Sequence, residues 1–344
     1  MFFVHPDIRL AETQPGEFYI SPEVFEKTKD RIFARTWQLV AGPECGPGVT
    51  PFTLLPEYIG EELIVIQNNV GEIQCLSNVC THRGMLLVDG HCNPALIRCP
   101  YHGRRFALDR TCLSMPEFSG VAHFPSDRDN LAKIASCKVA DFIFVSLNPA
   151  YSALEFLEWA YKLLSEPEAG GLKPAGRREY TIRANWALYC ENYLEGFHIP
   201  FVHRSLNEAL DFGQYRMDLM PFSVLQTAID REGKLAASYL FVFPNLMLNL
   251  YPGGVSLNIV RPVSVNKTVV EYRTYINSSG QFGSGADSDL DTVEMEDEKI
   301  VEAVNRGVRS RNYRRRRYSP SQERGVHHFH RLISEFLEFD CVDG

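Results

Sequence analysis

The sequence predicts an α+β protein that pairs a small antiparallel β domain with a larger domain of helices and a curved antiparallel sheet. Short β-like runs broken by Gly, Pro and Asn fill residues 37–149. Alternation of apolar and polar residues returns at 223–277, and helical periodicity flanks both β regions. A chain of 344 residues has room for two such domains.

The predicted elements follow one another in a simple order. Helical patterns cover 22–35, the first part of 150–174, 185–197, 291–310 and 323–339. Ser21 is placed to cap the first helix, a strand is expected at 178–183, and the Gly/Ser-rich run 278–285 is expected to be a loop tip. We therefore expect an N-terminal helical segment (1–36) that packs on a C-terminal domain (150–344), with a β domain (37–149) between them in sequence.

Composition excludes several classes of protein. The net charge of −8, from 35 basic and 43 acidic residues, argues against a nucleic-acid partner. The N-terminus lacks the apolar core of a signal peptide, and the longest apolar runs are too short to cross a membrane, so no membrane partner is expected. Nine irregularly spaced cysteines do not suggest a disulfide framework. These features favour a reducing cytoplasm.

Two short motifs within the β domain combine thiolate and imidazole ligands. They are Cys80-Thr-His82 and Cys99-Pro-Tyr-His102. Zinc fingers usually pair like ligands within each half, whereas a Rieske [2Fe–2S] centre needs two Cys on one iron and two His on the other. The pattern predicts that centre, with a zinc knot as the alternative.

Other residues near these motifs have secondary roles. Gly84 and Gly103, shortly after the histidines, are expected to let each loop turn closely around the cluster. His91 fits neither spacing. The remaining cysteines are expected to be small apolar residues: Cys45, Cys75, Cys92, Cys112, Cys137, Cys190 and Cys341.

A second metal site is predicted around His198 and His203. On an unbroken helix these side chains would point about 140° apart, but Pro200 between them is expected to end or kink the helix. The non-haem iron triad of two His and one carboxylate needs a third ligand. Taken alone, the pair would more often be ordinary satisfied histidines. The upstream cluster motif favours a metal, because its electrons need a destination.

Asp297 is the predicted third ligand. It lies in the middle of an apolar stripe formed by Ile300, Val301, Val304 and Val308. A carboxylate on a core face is unfavourable unless it is paired or bound to metal, although an acidic residue early in a helix also suits the macrodipole. Glu296 and Glu298 are expected to face solvent, with Glu294 at the edge of the stripe. Glu195, one turn before His198, is expected to hydrogen-bond a metal-bound imidazole or, alternatively, to be a solvated residue.

These motifs resemble the oxygenase (α) subunits of Rieske non-haem iron oxygenases over nearly the whole chain. The resemblance rests on the Trp37 region, the Cys-Pro-Tyr-His-Gly run at 99–103, Asn-Tyr-Leu-Glu at 192–195 with His198 and His203, Glu296-Asp297 with 304–307, and 325–330. It is strongest to the group of choline monooxygenase, carnitine monooxygenase and glycine-betaine demethylase. Arg104 departs from the Trp that many members carry, which is expected to alter the surface beside the cluster.

The resemblance implies a Rieske domain at 37–149 and a catalytic domain of helix-grip (START-like) type at 150–344. It implies a [2Fe–2S] cluster on Cys80, His82, Cys99 and His102, and mononuclear Fe(II) on His198, His203 and Asp297. It further implies use of O₂ and a separate reductase that supplies electrons from NAD(P)H. In the implied head-to-tail homotrimer, electrons pass between subunits, and Glu195 bridges His102 of a neighbour to His198.

The expected reaction is hydroxylation of a C–H bond next to nitrogen in a small quaternary ammonium or N-methyl compound, giving N-dealkylation or alcohol oxidation. Aromatic residues that could surround the cation are Phe197, Phe201, Phe212, Tyr239, Phe241, Phe243 and Tyr251. The alternatives are aromatic-ring hydroxylation, a Rieske electron-transfer protein without catalytic iron, and a zinc-stabilised binding protein. The basic run 309–317 is interpreted as a solvated or intersubunit face, with reductase docking as a further possibility.

Overall fold

The computed structural model describes residues 2–166, 169–203, 212–278 and 290–338. Contacts divide the chain into two compact units. One unit is Trp37–Pro149, and the other joins Met1–Thr36 to Ala150–Gly344. The predicted α+β class is confirmed.

The unit Trp37–Pro149 is built from antiparallel strands. They are β1 Gln38–Ala41, β2 Gly48–Leu54, β3 Glu61–Gln67, β4 Ile73–Ser77, β5 Ile97–Arg98, β6 Arg105–Phe106, β7 Cys112–Ser114, β8 Lys133–Val139 and β9 Phe142–Ser146. One sheet has the order β1-β9-β8-β4-β3-β2, and a smaller sheet has the order β5-β6-β7. The first Cys/His motif lies between β4 and β5, and the second lies between β5 and β6.

The core of this unit explains why the two motifs meet. Ile64 and Leu76 from the larger sheet pack with Ile97 and Phe106 from the smaller sheet. Cys80 and Cys99 belong to the same buried cluster of side chains. Burial of this apolar surface therefore holds the base of both motif loops in place.

The second unit combines helices with a seven-stranded antiparallel sheet. Its helices are α1 Gly16–Ile20, α2 Pro22–Thr28, α3 Ala153–Phe156, α4 Glu158–Leu164, α5 Trp186–Tyr193, α6 Ile199–Val202, α7 Leu290–Gly307 and α8 Arg324–Glu338. Its strands are β10 Lys173–Ile182, β11 Arg216–Met220, β12 Ser223–Ile229, β13 Leu235–Val242, β14 Leu246–Tyr251, β15 Gly254–Ser264 and β16 Lys267–Ile276. The sheet order is β10-β16-β15-β14-β13-β12-β11.

Helix α5 is anchored at its start, which fixes the side chains that follow. The Asn185 side chain accepts from the Ala187 N–H at 3.0 Å and caps the helix. Trp186 is buried, and its ring meets Phe33 and Phe329 edge to face at 4.9 and 5.8 Å. These contacts join α5 to the π-helical turn after α2 and to α8.

Most predicted elements are present, with shifted ends. Ser21 caps α2 as expected, accepting from the Val24 N–H. Strand β10 begins five residues before the predicted strand, β11 was not expected, and α5 ends four residues early. Residues 279–285 of the predicted loop tip lie outside the described ranges. No helix in the described parts of the chain is long and apolar enough to span a bilayer.

Candidate functional site

The two Cys/His motifs form loops with the same backbone pattern. The N–H groups of Cys80 and Cys99 each donate to the carbonyl five residues later, at 2.9 and 2.8 Å. The carbonyls of the same cysteines accept from Gly84 and Gly103, both at 3.0 Å. Those glycines have φ of +70° and +75°, a left-handed conformation that L side chains rarely adopt.

The four predicted cluster ligands converge, with sulfur inside and nitrogen outside. Cys80 and Cys99 are each only 3% exposed, whereas His82 is half-buried and His102 is exposed. The two imidazole rings lie 4.9 Å apart. Burial and the neighbouring Cys99 thiol raise the pKa of Cys80, while burial and the nearby His102 lower the pKa of His82. Two thiols and two imidazoles at the mouth of one core fit a Rieske cluster.

The remaining cysteines and His91 have other surroundings. His91 Nδ1 lies 3.0 Å from the Thr50 hydroxyl, in a contact separate from the motif loops. Eight of the nine cysteines are described and all eight are free thiols. Cys75 is fully buried, and burial raises its pKa to about 12. Cys341 lies outside the described residues.

His198, His203 and Asp297 come together as one possible metal site. One candidate ligand atom from each lies within 4.8 Å of the others. Asp297 Oδ1 lies 3.0 Å from His203 Nε2 and 3.5 Å from His198 Nε2. Burial opposes protonation of His203, but the Asp297 and Glu296 carboxylates outweigh it and raise the His203 pKa. Two imidazoles and one carboxylate are the donor set of non-haem iron(II) triads.

Each histidine also contacts a carboxylate behind it, and this fixes which nitrogen faces the centre. His198 Nδ1 donates to Glu195 at 2.6 Å, and His203 Nδ1 donates to Glu296 at 2.7 Å. Both Nε2 atoms are therefore left for the centre, as expected for metal-bound imidazoles with outer carboxylate partners. The expectation that Glu296 faces solvent is wrong, because it holds His203.

The local route that joins the histidines also differs from the expectation. Helix α5 ends at Tyr193, so His198 lies at the start of the separate short helix α6 and His203 at its end. Pro200 lies in the first turn of α6, where its missing N–H is tolerated, instead of kinking a longer helix. One turn of α6 brings the two imidazoles to 5.1 Å between ring centroids.

The buried face of α7 is rotated from the predicted stripe. Val301 and Val308 are buried, but Ile300 and Val304 are 36% and 44% exposed. Asp297 lies four residues before Val301, so the same face turns it towards His203. Its Oδ1 also accepts from the Asn192 side chain at 2.7 Å.

A cavity of about 530 Å³ opens at this triad. Asp297, His198 and His203 line it, together with seven tyrosines: Tyr180, Tyr189, Tyr193, Tyr215, Tyr239, Tyr251 and Tyr272. Four of these phenols have pKa values raised well above 10 by burial, so they stay neutral. The cavity therefore has an aromatic lining in which these four hydroxyls carry no charge.

Besides Asp297 and Glu195, the carboxylate of Glu294 lines the cavity. It accepts from the Tyr189 hydroxyl at 2.6 Å and from the Tyr272 hydroxyl, and the Asn258 side chain lies 3.4 Å away. Burial raises its pKa to about 7, against the opposing effect of the two phenols. Glu294 is thus poised to carry a negative charge within the cavity near neutral pH.

The expected aromatic set around a cation is only partly correct. Tyr239 and Tyr251 line the cavity. Phe241 and Phe243 are core residues that pack on α8, and Phe197 and Phe201 are exposed. The Phe212 side chain lies outside what the structure describes.

Several site residues were missed because their signal in the sequence is weak. Glu294 precedes Asp297 by three residues, which places both on one helix face, and this spacing could have indicated it. Tyr189 and Asn192 have the same spacing on α5. Tyr272 belongs to an ordinary alternating strand that gives no comparable signal.

The basic run at 309–317 is largely solvated. Arg309, Arg311, Arg314, Arg316 and Arg317 are exposed. Arg315 differs, since its guanidinium donates to the carbonyls of Phe3, Glu12 and Thr13 and holds the N-terminal segment. Any intersubunit role of this run stays a prediction.

Known protein families match both units. Residues 50–125 match the Rieske [2Fe-2S] domain, and residues 170–338 match the ring hydroxylating alpha subunit (catalytic domain). The chloroplastic choline monooxygenase of Arabidopsis thaliana is 28% identical over 95% of this chain and 83% of its own length. The carnitine monooxygenase oxygenase subunit of Escherichia coli K12 is 28% identical over 95% of this chain and 94% of its own.

Solved structures share the fold. The quaternary ammonium Rieske monooxygenase CntA in complex with L-carnitine superposes with a TM-score of 0.79, at 24% identity over 96% of this chain and 97% of that chain. Naphthalene 1,2-dioxygenase with bound indole superposes with a TM-score of 0.72, at 19% identity over 96% and 94% of the two chains. The two matched domains imply a [2Fe–2S] cluster and a mononuclear iron. The chain belongs to the Rieske non-haem iron oxygenases, as an oxygenase subunit that uses O₂.

Proposed function

We propose that this oxygenase hydroxylates a C–H bond next to the nitrogen of a small quaternary ammonium or N-methylated cation. Cys80, His82, Cys99 and His102 would hold the [2Fe–2S] cluster, and His198, His203 and Asp297 would hold iron(II). When bound, these groups supply electrons and activate O₂. Hydroxylation beside a quaternary nitrogen gives a carbinolamine, which separates into a tertiary amine, an aldehyde and a proton.

The cavity beside the metal triad is the observation that carries the choice of substrate. Its seven tyrosines give the cavity an aromatic lining, and aromatic rings attract a desolvated cation. Glu294 adds a carboxylate to this aromatic lining. Arg177 and Arg178 of β10 also line the cavity, and the Arg177 guanidinium pairs with Glu271 at 2.9 Å. A neutral aromatic hydrocarbon would gain nothing from that charge, and its binding would leave the ionised carboxylate without a positive charge beside it. The lining therefore favours a cationic substrate over ring hydroxylation.

The chain's own residues have distinct tasks in this reaction. Glu195 and Glu296 orient the two imidazoles so that their Nε2 atoms face the cavity. The Tyr189 and Tyr272 hydroxyls hold the Glu294 carboxylate in place. The tyrosine faces exclude water from the bound cation and keep its methyl or methylene carbon near the triad.

The proposed assembly is a head-to-tail homotrimer served by a separate NAD(P)H-dependent reductase. Glu195 would join His102 of the neighbouring subunit to His198 of its own. The exposed His102 ring and its contact with the exposed Tyr101 ring at 3.6 Å support an interface at this loop. CntA, which has the same fold, is described as using inter-subunit electron transfer. The free thiols of the described cysteines support a reducing, cytoplasmic location.

An oxygen-uptake screen tests the substrate class. The purified oxygenase would be combined with a surrogate reductase and NAD(P)H, and choline, carnitine, betaines and simple aromatic acids would be compared. We expect substrate-dependent oxygen uptake, with amine and aldehyde products, from one or more quaternary ammonium compounds. Uptake coupled to hydroxylation of aromatic acids alone would refute the proposal.

Replacing Glu294 with glutamine should weaken binding of the cation. We expect KM for the cationic substrate to rise about tenfold or more with a smaller change in kcat, because a buried charge-assisted contact is lost. Glu302→Gln is the matched control, since it changes a carboxylate on the same helix that is not part of the cavity lining. Equal KM values in the two variants would show that Glu294 does not contribute to substrate binding.

The same residue predicts a pH dependence. The groups that face Glu294 are Tyr189, Tyr272 and Asn258, with Asp297 and Glu298 on its own helix. Without a bound substrate, the Glu294 carboxyl has a pKa of about 7. A bound cation lowers that pKa because it favours the ionised form. Binding should therefore strengthen as pH rises through the Glu294 pKa and level off above it. KM measured from pH 6 to 8.5 should fall as pH rises in the parent enzyme. In Glu294→Gln, KM should change much less over the same range.

A further inference from the structure

Arg104 is a charged residue buried beside the cluster loops. It follows the second motif after Gly103 and is 2% exposed, so it lies within the core and does not alter the surface as expected from the sequence. A buried guanidinium is unfavourable unless its positive charge is paired or interacts with other polar groups. The contacts of the Arg104 guanidinium identify the groups with which its positive charge interacts.

The guanidinium connects the two motif loops. Its Nη1 donates to the Thr81 hydroxyl at 2.7 Å, and Thr81 stands between Cys80 and His82 in the first loop. Its charged carbon also lies 5.6 Å from the centre of the Phe118 ring, which packs edge to face on His82 at 5.6 Å. The cation is thus held against the first loop while its own backbone belongs to the second.

The positive charge is only loosely compensated. Arg104 Nη2 lies 3.5 Å from Asp129 Oδ1, a long contact for an ion pair. The other Asp129 oxygen accepts from the Ser126 N–H and hydroxyl, both at 2.9 Å. The guanidinium also lies 3.4 Å from the Met115 sulfur and 5.1 Å from the centre of the Phe124 ring, neither of which carries charge.

We propose that Arg104 raises the reduction potential of the cluster and that Asp129 sets the size of this effect. The proposal rests on the proposed ligation by Cys80, His82, Cys99 and His102. Reduction adds one electron, supplied by the separate reductase, and so adds one negative charge to the cluster. A nearby buried cation stabilises that added charge, and net charge is one of the factors that set Rieske potentials. Asp129 opposes the cation with a charge of the opposite sign.

Redox titration of the purified, cluster-loaded protein, followed by electron paramagnetic resonance, tests this proposal without turnover. Arg104→Met keeps the length of the side chain and removes its charge, so the potential should fall. A tenfold change in the reduction equilibrium corresponds to about 59 mV for a one-electron couple, and we expect a shift of that order. Arg104→Lys should stay near the parent value, because it retains the charge.

Asp129→Asn supplies the opposite test, since it removes the opposing carboxylate and should raise the potential. Opposite shifts in Arg104→Met and Asp129→Asn would support an electrostatic role, which a purely structural contact would not produce. Unchanged potentials in both, or shifts of the same sign, would overturn it. If Arg104→Met fails to assemble a cluster, Arg104→Lys and Asp129→Asn decide. A parent protein without any Rieske signal would refute the proposed function, whereas a normal signal with unshifted variants would refute only this inference.

Discussion

Replacing Asp297 with alanine should remove the mononuclear iron and lower turnover by at least about a hundredfold while leaving the cluster intact. Loss of an outer partner of a metal ligand costs about 10- to 100-fold, so loss of a direct ligand should exceed that range. Asp297 is the only carboxylate within the described group of three possible ligands. Two imidazoles alone leave iron(II) with too few ligands. His203→Ala should have the same effect.

Metal analysis and spectroscopy separate the two centres in this test. Iron per subunit should fall towards the content of the cluster, while the Rieske resonance keeps its parent intensity. Glu298→Ala is the matched control, because Glu298 is the next residue on the same helix and does not belong to the described group of three possible ligands. Full activity and full iron content in Asp297→Ala would contradict the triad.

The cluster motifs could be located from sequence because their geometry is local. Both loops close through hydrogen bonds within six residues, and Gly84 and Gly103 supply the left-handed turns. The residue spacing within each motif is therefore enough to predict most of the structure of its loop. Arg104 shows the limit of this approach, because its burial depends on Thr81 and Asp129, which lie 23 and 25 residues away.

The proposed metal triad was predicted from the chemistry of its ligands, and part of the local structure around it was predicted wrongly. The expected stripe on α7 was traced through Ile300 and Val304, which are partly exposed. The observed buried face includes Asn305, whose side chain donates to the Arg183 carbonyl at 3.0 Å. Hydrophobic patterning does not detect a buried polar residue. The predicted stripe is therefore rotated about the helix axis relative to the buried face of α7.

Spacing could indicate that Glu294 shares a helix face with Asp297, but it could not predict the cavity, which is formed by long-range pairing. Antiparallel register places Tyr272 opposite Asn258, and α7 then brings Glu294 to both side chains. Tyr189 arrives from α5. These residues are separated by up to 105 positions, and no local pattern indicates that they meet.

Replacing Glu195 with glutamine should slow electron delivery to the mononuclear site while both metal centres remain loaded. Glu195 accepts from His198 at its Nδ1 (2.6 Å) and at its backbone N–H (3.1 Å). A neutral amide oxygen still accepts a hydrogen bond, so the local fold should persist. It supports His198 more weakly, however, and offers a weaker link to His102 of a neighbouring subunit. We expect a decrease of about 10- to 100-fold, the usual range for such partners.

Glu296→Gln is the matched control for this prediction. Glu296 supports His203 with nearly the same geometry, 2.7 Å against 2.6 Å, but has no proposed link to a second subunit. Single-turnover oxidation of the pre-reduced cluster, with substrate and O₂ present, measures the step directly. If Glu195 acts as a bridge, Glu195→Gln should slow cluster oxidation far more than Glu296→Gln at equal iron content. Equal slowing would assign both carboxylates to imidazole support alone, and an unchanged rate in Glu195→Gln would exclude the bridge.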